Sequence, residues 1–396
     1  MDRRRAARTE VAVRICIVNP YHSGSHAQWA DGLAKHLGLS DEVQNVELLS
    51  TPGRHWKWRM HGAAVALASK FQAKFEGGSV PDVLICTDMM DVGLFRSLLP
   101  VEARGVPIAL YFHENQLTFP DGLSEPPPDW DRHYAFMNVA SALVADALWF
   151  NSDHHRRAFL QAVPGFMAPM PDLRLERECA ELAGKSLVLP LGVDGAAMDA
   201  ARCSRLAGPP IVVWNHRWER DKCPEHFFEA LEALRSEGME FRLTVLGQSF
   251  TRSPKIFSAA KASFKGQIHH WGFAPTRAEY YERLWEAHIL FVTSRHDFFG
   301  LSLVEGAWCG LQVVAPNALA YPEHFDAIAP ESASRHGVHL VARDELTDML
   351  RRAIQSAAAE GDAPQVAGRV EKYDWPIVAL RYLEAAHALN RPRPLK

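Results

Sequence analysis

The sequence predicts an α/β protein of two doubly wound, parallel-sheet domains facing a cleft, with a last helix crossing back onto the first. Three observations carry this expectation. Short apolar runs rich in β-formers alternate with amphipathic stretches of helical period, the pattern of buried parallel strands covered by helices on both faces. The alternation breaks at Gly208-Pro209-Pro210 and then restarts. The chain has 396 residues, which suits two or three domains of ~150 residues better than one.

The first half reads as strands at Val11–Val18, Val83–Cys86, Ile108–Phe112, Ala147–Phe150 and Leu187–Leu189. After the break come Ile211–Trp214, Arg242–Leu246, Ile268–Trp271, Ile289–Val292 and Gln312–Ala315. Between them, Glu225–Glu237 gathers Phe227, Phe228, Leu231 and Leu234 on one helical face. Arg277–Ala287 does the same with Tyr280, Tyr281, Leu284 and Trp285. A final amphipathic helix, Trp375–Asn390, precedes a basic tail. The expected division is residues 1–185 for one sheet, 186–375 for the other and 376–396 for the helix and tail. Ligands of such sheets sit beyond the carboxyl ends of the strands, so the site belongs in the cleft.

Composition narrows the function classes. Hydrophobic residues make up 47% and charged residues 23%, which excludes a largely disordered chain. Lys plus Arg number 43 against 47 Asp plus Glu, so the protein is not a polycation that coats nucleic acid. No run of ~18 apolar residues offers a membrane span, and Met1–Glu10 lacks the form of a signal peptide. The scattered Cys16, Cys86, Cys179, Cys203, Cys223 and Cys309 form no CxxC pair. They suit reduced thiols in a cytoplasm and suggest neither zinc nor disulfides.

The strongest motif runs from His296 to Gly310, after the strand Ile289–Val292. Gly300 lets the backbone approach a ligand, and the helix start at Leu301 offers free amides to an anion. Asp297 and Glu305 are eight residues apart. One in the loop and one on the helix, they suit hydroxyls of one extended ligand, a sugar and a ribose; the alternative is a helix cap with a buried Glu. Arg217 and Lys222 share a post-strand loop, where a planar fork and a point charge reach one diphosphate. Gly247 and Gly272 end strands and suit the walls of a nucleobase slot, or mere turns.

In the first half, Gly24, Ser25 and His26 follow the first strand, and small residues there let a phosphate or acceptor approach the helix start. His113, Glu114 and Asn115 end the strand Ile108–Phe112 and point into the cleft, where His113 can donate to a sugar or position a hydroxyl. Arg54, Trp56, Lys57, Trp58 and Arg59 interleave cations with rings. They can hold phosphates while a ring stacks on a base, or pack a Trp-rich helix start into the interdomain core. Asp129-Trp130-Asp131 reads as incidental, and His154-His155 and His269-His270 lack a third ligand at zinc spacing.

The Asp297–Glu305 element with its Phe298-Phe299-Gly300, the Arg217–Lys222 loop and the two-sheet layout resemble the retaining, Rossmann-like GT-B enzymes of glycosyltransferase family 4. Asp297 stands where that pattern has Glu. Gly24–His26, Trp56–Arg59, Tyr111–Gln116, Val144–Asp146, Phe150–Ser152, His216–Lys222, His270–Gly272, His296–Gly300 and Tyr321–Glu323 together resemble the narrower tRNA-queuosine α-mannosyltransferase family, across residues 15–325. That resemblance implies mannose transfer from GDP-mannose to the cyclopentene diol of queuosine in the anticodon of tRNA(Asp), without a metal or other cofactor. It implies a nucleotide-sugar donor and a queuosine-containing tRNA as partners. Arg217 and Lys222 are then expected on the leaving diphosphate, Asp297 on mannose and Glu305 on ribose. His113 would contact the sugar or attacking hydroxyl, with front-face attack assisted by the phosphate. A GT-B enzyme with a lipid or small-molecule acceptor, a silent tRNA-binding protein of this fold and a sugar-nucleotide epimerase are the alternatives.

Overall fold

The computed structural model describes residues 12–119, 132–248, 254–325, 337–360 and 366–391. Asp129-Trp130-Asp131, the start of the first expected strand at Val11 and the tail beyond Arg391 lie outside the described residues.

Two six-stranded sheets form, and every strand pair is parallel. The first holds β1 (Val13–His22), β2 (Val43–Pro52), β3 (Val83–Thr87), β4 (Ile108–Phe112), β5 (Ala147–Phe150) and β6 (Ser186–Val188), in the order β2-β1-β3-β4-β5-β6. The second holds β7 (Ile211–Trp214), β8 (Arg242–Leu246), β9 (Ile268–Gly272), β10 (Ile289–Phe291), β11 (Gln312–Pro316) and β12 (Val338–Val341), in the order β12-β11-β10-β7-β8-β9. The expected strands are all present. The two that sequence reading missed, β2 and β12, are sheet edges. An edge strand is half exposed, and β2 accordingly mixes Gln44, Asn45 and Glu47 into its apolar positions, so no clean apolar run marks it. The expected boundary at 185/186 also shifts: β6 pairs with β5 and belongs to the first sheet.

Alternation explains why these strands read as continuous apolar runs. In β3, Val83 and Ile85 enter the core on one face while Leu84 and Cys86 enter the core on the other. Helices α1 (Gly24–Leu37), α2 (Trp56–Phe75), α3 (Val92–Leu98), α4 (Arg132–Val144), α5 (Asp153–Met167) and α6 (Glu176–Ala180) belong to the first half. Helices α7 (Gly195–Ala200), α8 (Pro224–Ser236), α9 (Ile256–Ser263), α10 (Arg277–Trp285), α11 (Leu301–Trp308), α12 (Tyr321–His324) and α13 (Leu346–Glu360) belong to the second.

The last helix, α14 (Trp375–Asn390), packs back on α1. Trp29 Nε1 donates to the Tyr382 hydroxyl at 2.9 Å. The Trp375 indole fills a slot between Gly32 and Gly192, where a Cβ would stand 2.3 Å from the ring at either position. Strand order reverses between β1 and β3 in one sheet and between β7 and β10 in the other. Ligands of doubly wound sheets bind at these switch points.

Candidate active site

Cleft residues follow the carboxyl ends of strands. The first half supplies Ser25 and His26 after β1, His113, Glu114 and Phe119 after β4, and Asn151 after β5. The second supplies Arg217, Asp221 and Lys222 after β7 and residues 296–301 after β10. With Leu191 they line one pocket of about 580 Å³, counting its open mouth.

On the second-half wall, Lys222 is buried. Its Nζ donates to the His296 carbonyl at 2.7 Å and lies 3.1 Å from Asp221 and 3.7 Å from Asp297. Burial opposes its charge, but Asp297 and Asp221 outweigh that and raise its pKa. Arg217 pairs with Glu219 at 3.1 Å and stays 58% exposed. One cation is therefore fixed and the other free to close on an anion. Asp297 Oδ1 accepts the Gly300 N–H at 3.0 Å and Oδ2 accepts the Tyr321 hydroxyl at 3.2 Å. Burial would raise its carboxyl, yet Lys222, His216 and His296 prevail and hold it below the usual range, ionised. Gly300 has φ +85°, and a Cβ there would stand 2.7 Å from the Tyr321 ring. Its immediate neighbour is thus a side chain rather than a ligand, although Gly300 and Leu301 do line the pocket.

On the first-half wall, the His113 ring packs among His26, Trp29 and Tyr111, with centroids 4.1, 4.9 and 4.9 Å away. The backbone N–H of His113 donates to Asp88 Oδ1 at 3.0 Å, and its backbone carbonyl accepts from the Asn151 amide at 2.9 Å. Among the described residues, His113 Nε2 and His26 Nδ1 find no hydrogen-bond partner. Burial drives both imidazoles neutral: His26 falls to about 3, helped by Arg217, and His113 falls well below its ordinary value, helped by His26 and His155. Unused buried nitrogens are costly unless something polar enters beside them. Glu114 accepts from Gln116 at 3.1 Å. Burial raises its carboxyl pKa, and Arg217 across the cleft counteracts.

Several expected contacts lie elsewhere. Asn115 is buried, and its amide is consumed in a turn with Leu117 and Thr118, so it holds the loop rather than an acceptor. Glu305 is buried one turn along α11 from Leu301. Its carboxylate accepts from the Arg277 guanidinium and, at 2.7 Å, from the Tyr280 hydroxyl. Any ribose there shares the carboxylate with Arg277. Gly247 has φ +119°, and a Cβ would stand 2.0 Å from the His216 carbonyl oxygen. That backbone contact accounts for the glycine, and neither Gly247 nor Gly272 lines the pocket. Gly24 opens α1 just before the lining residues. Arg54, Lys57 and Trp58 are exposed, and Trp56 and Arg59 are partly buried, around the start of α2 outside the pocket. Trp56 packs on Tyr134 with Tyr21 beside it, and Tyr21 touches His26, so the segment adjoins the site.

Sequence reading missed Asp88, Phe119 and Leu191. Asp88 follows the strand Val83–Thr87, so its strand-end position was a usable signal; the two apolar residues carry none. Among the described residues, no helix is long and apolar enough to cross a membrane, and no three His, Cys, Asp or Glu side chains group as a metal site needs. The six cysteines are free.

Residues 14–193 match the family described as tRNA-queuosine alpha-mannosyltransferase N-terminal, and residues 203–360 match glycosyl transferases group 1. The chain is 29% identical over 319 residues to tRNA-queuosine alpha-mannosyltransferase of Drosophila melanogaster, covering 78% of this chain and 81% of that one. It is 27% identical over 216 residues to GDP-mannose:cellobiosyl-diphosphopolyprenol alpha-mannosyltransferase of Xanthomonas campestris, covering 52% and 54%. Sucrose-phosphate synthase of Thermosynechococcus elongatus shares the fold, with a TM-score of 0.69 at 15% identity over 95% of this chain and 99% of that one. The fold is GT-B and the chain is a glycosyltransferase. The chain thus joins a domain of the tRNA-queuosine alpha-mannosyltransferase N-terminal type to one of the glycosyl transferases group 1 type.

Proposed function

We propose that the cleft transfers mannose from GDP-mannose, with retention, to the cyclopentene diol of queuosine in the anticodon of tRNA(Asp). The observation that carries this reading is the meeting of two unlike walls in one pocket. One wall holds Arg217, Lys222 and Asp297, and the other holds Glu114 with the unsatisfied nitrogens of His26 and His113. Cations and carboxylate suit a sugar diphosphate; neutral donors and acceptors suit hydroxyls. In this reading the half matched by the queuosine family takes the acceptor and the other half takes the nucleotide sugar, and both relatives carry mannosyltransferase names, one of them naming GDP-mannose.

In this reading Lys222 and Arg217 neutralise the diphosphate as it leaves, which takes the place of a divalent metal. Asp297 orients a mannose hydroxyl with the lone pairs left by Gly300 and Tyr321. Asp221 and Asp297 both pair with Lys222, so neither is free to act as a nucleophile. The bond from C1 to the phosphate oxygen breaks as C1 bonds to the acceptor oxygen on the same face. The hydroxyl proton passes to the departing phosphate, and GDP is released. His113 and Glu114 hold the acceptor hydroxyls.

A boronate gel tests this, because a free vicinal diol on queuosine binds boronate and retards the tRNA. Enzyme with GDP-mannose should abolish that retardation, and UDP-sugars should leave it. Retardation unchanged by GDP-mannose would sink the reading and favour a lipid-linked acceptor.

A further inference from the structure

We propose that Glu323 is a positioning residue for transfer: supplied by the nucleotide half, its carboxylate caps helix α5 of the acceptor half and holds the cleft closed. The inference rests on the cleft being the transfer site. Glu323 Oε2 accepts the Asp153 N–H at 2.8 Å and Oε1 accepts the His154 N–H at 2.5 Å. These amides open α5, where helix geometry provides no internal acceptor. A carboxylate also suits the positive end of the helix dipole. The hydroxyl of the helix's own cap, Ser152, accepts the His155 N–H and donates across the cleft to the Phe298 carbonyl at 2.5 Å. His155 then stacks on Phe298 at 3.9 Å. The start of α5 is thus completed by the opposite half.

The short helix that carries Glu323 is tied at the same time to the donor loop. Tyr321 donates to Asp297 at 3.2 Å, and His324 Nε2 bonds the Phe299 carbonyl at 2.6 Å. Four consecutive residues therefore touch the sugar-binding carboxylate, the loop behind it and the acceptor half. An interdomain contact of structural value alone needs no such link. Here the position of Asp297 and the closure of the cleft are fixed by one element, so losing the cap frees the halves while leaving the donor contacts of Arg217 and Lys222 in place.

The test uses the full chain with Glu323→Gln and Glu323→Asp. The amide of Gln replaces one acceptor with a donor facing an N–H. Glu323→Gln should lower kcat for transfer by about tenfold or more, the scale of a charge-assisted hydrogen bond. It should also raise donor hydrolysis relative to transfer, increase the radius of gyration in X-ray scattering, and leave GDP affinity within a few-fold of wild type. Glu323→Asp, which keeps the charge, should recover part of kcat. A wild-type kcat, or a lower kcat with unchanged scattering, overturns the proposal. Should Glu323→Gln fail to fold, Ser152→Ala removes the adjoining bridge to Phe298 and carries the same expectations. Scattering needs no acceptor, so it tests the latch even if the acceptor assigned above is wrong.

Discussion

The Lys222 ammonium stands 3.7 Å from the Asp297 carboxylate, which joins two motifs 75 residues apart into one charge pair in the wall of the cleft. Arg217 lies in the same pocket but exposed. The two cations should therefore fail differently. Arg217→Ala should cost roughly two to three powers of ten in turnover, the scale of one transition-state charge contact, with little change in stability. Lys222→Ala should cost as much and also destabilise, because it leaves two partly buried carboxylates without their shared cation. Steady-state kinetics and thermal scans of both variants check this; wild-type rates in both would put the phosphates elsewhere.

Asp297 is both a loop cap and a charge. Asp297→Asn keeps an oxygen for the Gly300 N–H but loses the charge facing Lys222. It should fold and lose activity by roughly a hundredfold, while Asp297→Glu keeps the carboxylate and activity. Full activity in the Asn variant would reduce Asp297 to a cap.

The segment beginning α2 offers an exposed Trp58 with Arg54 and Lys57, while Arg59 Nε donates to the Pro52 carbonyl at 3.0 Å. Replacing the three cations with Ala should weaken tRNA binding and flatten its salt dependence, by about one unit of slope for each phosphate that these cations neutralise. GDP binding should not change. Filter binding at several salt concentrations reads both, and identical slopes would leave the segment without a role in RNA binding.

Close packing of the last helix makes a stability prediction. Gly32→Ala or Gly192→Ala puts a Cβ 2.3 Å from the Trp375 ring. Overpacking of this kind costs about 1–3 kcal/mol, so each should lower the melting midpoint. An unchanged midpoint would contradict the docking of the helix on the first half.

Burial sets the pH behaviour. His26 is held at about 3, and His216, His296 and His324 at about 4, against 6.5 unperturbed. The unfolded chain binds these protons near its ordinary value while the folded chain refuses them. Their contribution is full above pH 6.5 and is lost as pH falls, by about 1.4 kcal/mol per pH unit per ring until each folded value is reached. Asp88 and Glu114, raised by burial, act in the opposite sense. Ring signals of the four histidines in NMR should not titrate between about pH 8 and pH 5.5. A midpoint near 6.5 for any of them would contradict its burial.

The site is legible where it hangs from strand ends. Arg217, Lys222, Asp297 and His113 stand out because buried strands announce themselves and ligands gather where they stop. Edge strands β2 and β12 hide because one open side admits polar residues. Asn115 misleads because an amide that builds a turn looks, in sequence, like one that waits for a ligand. Gly247 misleads similarly: a close backbone contact and a ligand approach demand the same residue. The Arg277–Glu305 pairing spans 28 positions and two helices, a contact that no local pattern encodes.

In the reaction proposed above, one pocket joins a mannosyl donor to a queuosine acceptor. The most direct measurement is the mass of nucleosides digested from queuosine-containing tRNA(Asp) after incubation with enzyme and GDP-mannose, run beside Arg217→Ala. Queuosine should gain one hexose with wild type and almost none with the variant. Queuosine of unchanged mass with active, GDP-binding wild-type enzyme would contradict it.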